Sequence, residues 1–143
     1  MTLFQRTPQL NISNSEQLRE TIHDYFHSTF NRYEQLFETL ACDEAYYKKP
    51  ISLRHPLIFY LGHTATFFIN KLILAGLISE RINPAFESMF AVGVDEMSWD
   101  DLSDSHYQWP TVEAVKDYRQ QVRTLVDDII RRTPLTSAIN WDH

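Results

Sequence analysis

The sequence predicts an all-α helical bundle. Two stretches, near residues 15–40 and 111–132, carry apolar stripes at a 3.6-residue period. Between them runs a long segment that is apolar on almost every side, from His55 to Ile78. Only 3 glycines and 6 prolines occur among 143 residues, too few for a turn-rich β fold. No stretch reads as a convincing strand.

The first 12 residues read as an extended lead-in. Ser13 followed by Glu16 fits a capping box, in which each side chain satisfies a backbone N–H at a helix start. The helix that follows has the stripe Leu18, Ile22, Tyr25, Phe26, Thr29, Phe30, Tyr33, Leu36, Phe37 and Leu40. His23 and His27 lie one turn apart, a spacing that can bind a metal. The helical wheel sets them roughly 100° from the centre of the stripe, so they are expected to face solvent. Residues 41–54 read as a connection, with Tyr46 and Tyr47 packed over the end of the bundle.

The second helix begins at Pro56, since a first-turn proline loses no intrahelical hydrogen bond. A helix apolar nearly all round needs several neighbours. A membrane span is the competing reading, but His63, Asn70 and Lys71 interrupt it. Phe59, Tyr60, His63, Thr66, Phe67 and Asn70 share one side of the wheel. A narrow polar line, His63–Thr66–Asn70, therefore looks into something, and Tyr60, Thr66 and Asn70 are candidates to line a pocket around His63. Taken alone, His63 reads as an ordinary hydrogen-bonded core histidine, because one imidazole is not a metal site. Gly62 suits close approach of another element.

Residues 79–110 form a long crossover between the second and third long helices. Asn83-Pro84 predicts a short helix through about Phe90. Asp95, Glu96, Asp100, Asp101 and Asp104 follow, without the spacing of a calcium-binding loop, and read as a solvated acidic run. Met89, Phe90, Met97 and Trp99 are expected to fold back onto the core. Thr111 caps the third long helix, whose stripe is Val112, Val115, Tyr118, Val122, Leu125, Val126, Ile129 and Ile130. Arg131 and Arg132 suit its last turn, and Pro134 stops it. Three long helices with a long crossover fit a four-helix bundle whose last helix is missing.

Composition narrows the function. The net charge of −6 argues against a basic nucleic-acid surface. The single cysteine, Cys42, cannot make an internal disulfide, so a cytoplasmic location is the default. The first residues lack the apolar core of a signal peptide. No nucleophile motif frames a hydrolase.

Three segments, RHPLIFYLGHTATFFINKL, RINPAFESMFAVGVDEMSWDDL and WPTVEAVKDYRQQV, carry a resemblance. They resemble the N-terminal DinB-like domain of the histidylcysteine sulfoxide synthases of ovothiol biosynthesis, relatives of the ergothioneine-pathway sulfoxide synthases. The resemblance runs from about the first helix to Trp141, and the 81–102 block is its most specific part. It implies a DinB-like four-helix bundle with a three-histidine site for non-haem iron(II). It also implies dioxygen chemistry that joins a cysteine sulfur to a histidine imidazole and leaves a sulfoxide. One family ligand lies in a motif matched here by Gly62-His63-Thr64, which raises His63 to an expected iron ligand.

The family's other two histidines lie one turn apart in a fourth helix, beside a glutamate. That pair and the larger C-terminal domain, which contributes substrate-binding residues in the family, are not matched here. His143 precedes the expected helix and takes no ligand role. The expectation is therefore one DinB-like domain over residues 1–143, cut short at its C-terminal end. Such a chain is expected to hold iron(II) weakly or not at all, and to be inactive alone. The alternative is a stand-alone helical interaction module whose open apolar face takes a second copy or a partner helix.

Overall fold

The computed structural model describes residues 6–92 and 107–135. Five helices occur among them: α1 (Ser15–Phe37), α2 (Glu44–Tyr47), α3 (Leu57–Leu74), α4 (Pro84–Met89) and α5 (Val112–Arg132). The expected all-α class and its three long helices are observed. The acidic run, Met97, Trp99, Trp141 and His143 lie outside the described residues.

Local chemistry explains the boundaries. The α1 cap is Asn14, one residue later than the expected Ser13. Its Oδ1 accepts from the backbone N–H groups of Glu16 and Gln17, at 3.0 Å each. The helix ends at Phe37, three residues short of the expected Leu40. α3 stops at Leu74 in a Schellman motif. Gly76 takes a φ of 69°, its N–H donates to the Ile73 carbonyl, and the Leu77 N–H donates back to the Leu72 carbonyl. A residue with a side chain resists that left-handed conformation, and this is why glycine sits there. α4 starts at the Asn83 cap with Pro84 at its first position. At α5 the Thr111 hydroxyl accepts from the Ala114 N–H at 3.2 Å.

α5 is the element that the others share. It packs along both α3 and α1, whereas α1 and α3 approach each other through long side chains. The Phe26 and Phe68 rings meet edge-on at 5.4 Å, and the Tyr33 hydroxyl donates to the Tyr60 carbonyl at 2.7 Å. One core cluster joins Phe26, Phe30, Ala65, Ile69, Tyr118, Val122 and Val126. A second joins Tyr46, Ile58, Phe59, Leu61, Phe90, Val112 and Val115 towards the α2 end. Tyr46 is buried and stacks on Phe37 at 5.8 Å, as its place over the bundle end requires. Tyr47 is more exposed and donates to the Pro110 carbonyl.

α3 is long and apolar enough, by length and composition, to cross a membrane, with a mean hydropathy of 1.4 over 18 residues. Its buried residues, Ile58, Phe59, Leu61, Gly62, Ala65, Thr66 and Ile69, face other helices of the fold. Those seven residues are 39% of the helix, and Phe67 and Leu74 on it are exposed.

The buried Glu87 carboxylate ties α4 to the segment before it and to α5, and the Glu87 backbone carbonyl accepts from Asn70 of α3. Glu87 accepts from the backbone N–H groups of Ile82 and Asn83 at 3.0 Å each, and from Arg81 at 3.0 Å. The Tyr118 hydroxyl also donates to it, at 3.4 Å. Burial, and then the neighbouring Glu87 charge, push the Tyr118 phenol well above its ordinary pKa.

Candidate metal-binding groove

A groove of about 600 Å³ runs between α1 and α3 with α5 as its floor. α1 supplies Ile22, Phe26, Thr29, Phe30 and Tyr33, on the i, i+3/i+4 spacing of one helix face. α3 supplies His63, Thr64, Phe67, Phe68 and Leu72, and α5 supplies Arg119, Val126, Ile129 and Ile130. The walls are almost entirely apolar, so the few polar groups stand out.

His63 is one of them. Its Nδ1 lies 2.7 Å from the Phe90 carbonyl oxygen. A carbonyl only accepts, so Nδ1 carries the proton and Nε2 keeps its lone pair. Among the described residues Nε2 has no hydrogen-bond partner. The ring stacks on Phe59, with centroids 5.4 Å apart and planes 11° apart. A backbone carbonyl that fixes the tautomer and a ring that fixes the tilt are what a metal-ligating imidazole needs behind it.

Arg119 is the other. It is 1% exposed. One Nη1 donates to the Leu61 carbonyl and the Thr64 hydroxyl, at 2.7 Å each. Nε donates to Glu34 at 3.0 Å, and the guanidinium lies over the Phe30 ring at 4.3 Å. Burial pulls its pKa down, while Glu34 works against that shift. Burial likewise raises the Tyr33 phenol. Arg119 thus ties α5 to the turn of α3 that carries His63.

Of the residues singled out in the sequence, the groove takes His63 and leaves three elsewhere. Tyr60 is half-buried, and its carbonyl accepts from Tyr33. Thr66 is fully buried and donates to the Tyr118 hydroxyl at 3.5 Å. Asn70 donates to the Glu87 carbonyl at 3.1 Å and accepts from Arg81 at 2.7 Å. Tyr60, Thr66 and Asn70, expected to line a pocket around His63, are not among the residues that line this groove. His63, Thr64 and Phe67 line the groove, whereas Thr66 and Asn70, on the same side of the wheel as His63, reach Tyr118 of α5 and Glu87 of α4.

His23 and His27 also differ from expectation. Their side chains are 26% and 24% exposed, and both reach Asp127 on α5. The flank of α1 that the wheel sets beside its stripe is the flank that meets α5. Arg119 and Asp127 were not singled out from the sequence, whereas Phe90, expected to fold back onto the core, is fully buried. Arg119 had a legible signal, a charge between Val115, Tyr118 and Val122 on an apolar face.

Two comparisons bear on this arrangement. The 33% identity to "Ergothioneine biosynthesis protein 1" of Neurospora crassa extends over 82 residues, which is 54% of this chain and 9% of that relative. The match thus spans about a tenth of the relative's length. The profile of the DinB superfamily matches residues 25–141, which include α3, α4, α5 and most of α1. With that match over most of its length, the chain belongs to the DinB superfamily.

Proposed function

We propose that this chain is the N-terminal part, contributing to the iron site, of a non-haem iron(II)- and oxygen-dependent sulfoxide synthase that joins cysteine to histidine, as in ovothiol biosynthesis. Superfamily membership and the similarity to a relative named for ergothioneine biosynthesis support the sulfoxide-synthase class. The observation that carries the reading is His63, whose Nε2 lone pair is left free at a groove by the Nδ1–H bond to Phe90.

The donor set fits one third of a three-histidine site. Among the residues lining the groove, His63 is the only histidine, cysteine or carboxylate. Two further imidazoles would come from a helix laid in the groove between α1 and α3. Iron(II) bound there would supply the oxygen chemistry. The residues of this chain do the rest. Phe90 and Phe59 hold the His63 ring, Arg119 and Thr64 hold its turn of α3, and the apolar walls exclude water. By itself the chain is expected to hold iron(II) weakly and to be inactive, since one imidazole does not retain the ion against water.

The test is an anaerobic iron(II) titration of this chain joined to a DinB-type fourth helix that carries two histidines one turn apart. The extended protein should bind one iron per chain and form sulfoxide from cysteine and histidine. His63→Ala in it should abolish both while helicity survives. Unchanged iron content in that variant sinks the reading.

The exposed apolar groove, with Phe67 at its edge, favours a second reading. A second copy or a partner helix would then fill it. A stable dimer whose interface maps to Phe67 and Ile129 supports this alternative.

A further inference from the structure

A second cluster of metal-ligating atoms lies outside the groove. His23 and His27 of α1 place their Nε2 atoms 2.8 and 2.7 Å from Oδ1 of Asp127 on α5. The three ligand atoms lie within 4.8 Å of one another. None of the three residues lines the groove.

The hydrogen bonds around His23 do not close without a cation. Its Nδ1 lies 3.2 Å from Asp24 Oδ1, so Nδ1–H donates there and leaves a lone pair on Nε2. That Nε2 faces two groups at 2.8 Å, the Asp127 oxygen and Nη2 of Arg131. A proton on Nε2 serves Asp127 but opposes the guanidinium, which only donates. No proton on Nε2 serves Arg131 but sets a lone pair against a carboxylate oxygen. A metal ion between His23 Nε2, His27 Nε2 and Asp127 Oδ1 satisfies all three ligand atoms. Asp24 then orients the His23 ring from behind, as carboxylates do for metal-bound imidazoles.

Two guanidiniums must yield, and both have somewhere to go. Arg131 is 60% exposed and can turn into solvent while keeping Asp127 Oδ2, now 2.7 Å from its Nε. Arg123 Nε donates to His27 Nδ1 at 2.9 Å. When His27 Nε2 takes the metal, its proton moves to Nδ1 and Arg123 must let go. Glu34, 4.0 Å from Arg123 Nη1, is there to receive it.

We propose that His23, His27 and Asp127 form a binding site for a zinc-class divalent transition ion, which clasps α1 to α5. Two imidazoles and one carboxylate suit zinc, with water in the fourth position. Magnesium and calcium prefer all-oxygen shells. Zinc stands ahead of iron(II) in affinity at such nitrogen and oxygen donors. The clasp matters to the fold because α1 is seated mainly on α5.

The test titrates the 143-residue chain, stripped of metal, with zinc chloride by calorimetry and by competition with a chromogenic chelator. One zinc per chain is expected, with a Kd of about 10 µM or tighter. Asp127→Asn and His27→Gln should each weaken binding at least about tenfold. His63→Ala should leave it unchanged, which keeps this site distinct from the groove. Arg131→Ala should tighten binding, because it removes the competing guanidinium. A purely structural latch predicts no zinc response in that variant. No saturable binding, weakening by His63→Ala alone, or no gain in Arg131→Ala overturns the proposal. Should the site variants unfold, cobalt(II) added to the wild-type chain decides. Tetrahedral d–d bands that zinc displaces support the site, and their absence overturns it.

Discussion

The imidazole of His63 donates from Nδ1 to the carbonyl of Phe90, 27 residues away and 2.7 Å distant. Phe90 is the C-cap of α4, and α4 is anchored by Glu87. A short helix in the crossover therefore sets the tautomer of a histidine on the central helix. Imidazole nitrogen NMR at a pH above the histidine range should show His63 as the Nδ1–H form. Glu87→Ala should loosen α4 and mix the two tautomers. A dominant Nε2–H form in the native chain would contradict the arrangement.

Gly62 is where the same carbonyl-bearing residue touches α3. A Cβ built at Gly62 would lie 2.5 Å from the Phe90 ring, which is fully buried and has no room to retreat. Alanine improves helix propensity by about 1 kcal/mol. Overpacking a closed core costs about 1–3 kcal/mol. Gly62→Ala should therefore be destabilising by up to about 2 kcal/mol in denaturant unfolding, the overpacking outweighing the propensity gain. Phe90→Leu combined with Gly62→Ala should recover part of the loss, since the smaller side chain vacates the ring position.

Arg119 makes a sharper case, because its partners are backbone, hydroxyl and carboxylate together. Arg119→Met keeps much of the volume but removes a donor from the Leu61 carbonyl and leaves Glu34 only the more distant Arg123, 4.0 Å away. The loss should be about 2–3 kcal/mol, at the low end for a buried pair because Glu34 reaches solvent. Arg119→Lys should recover little, since an ammonium cannot serve three acceptors in the geometry of a planar fork. Chemical denaturation of both variants, with Glu34→Gln as the second arm of a cycle, measures the coupling. Full recovery in Arg119→Lys would show that charge alone matters.

The fold was legible wherever periodicity and capping chemistry were local. The stripes of α1 and α5, the Asn83-Pro84 start of α4 and the apolar α3 all follow from residues within a few turns. The α1 cap moved by one residue because Asn14 and Ser13 are both competent oxygen acceptors. The site was less legible, since a wheel shows which residues share a face but not which neighbour that face meets. Thr66 and Asn70 share a side with His63 on the wheel, yet they meet Tyr118 and α4. His23 and His27 flank the α1 stripe, and only the position of α5 turns that flank into a seam. The i,i+4 pair of Asp127 with Arg131 reads as an ordinary surface pair, and its histidine partners lie 100 and 104 residues away.

That seam gives a pH dependence of definite sign. Asp127 accepts from Arg131 and His27 and has His23 Nε2 at 2.8 Å, and these neighbours, Arg131 first, hold its carboxyl well below the usual carboxylate range. Asp24 lies on the far nitrogen of His23, and Arg123 on that of His27. In the unfolded chain an aspartate titrates near about 3.9. A carboxyl whose pKa is depressed by folding stabilises the native state above that value. The contribution fades as pH falls from about 5 towards the folded pKa, because the unfolded chain then binds the additional proton. Asp127→Asn should lower stability by about 1 kcal/mol at neutral pH, a modest figure for a partly solvated network. The gap between the two proteins should narrow below pH of about 4 and close in strong acid. Thermal melts of both chains in chelator, at pH values from neutral to acid, measure that gap. A gap that stays constant with pH would show that Asp127 acts through packing and not through its charge.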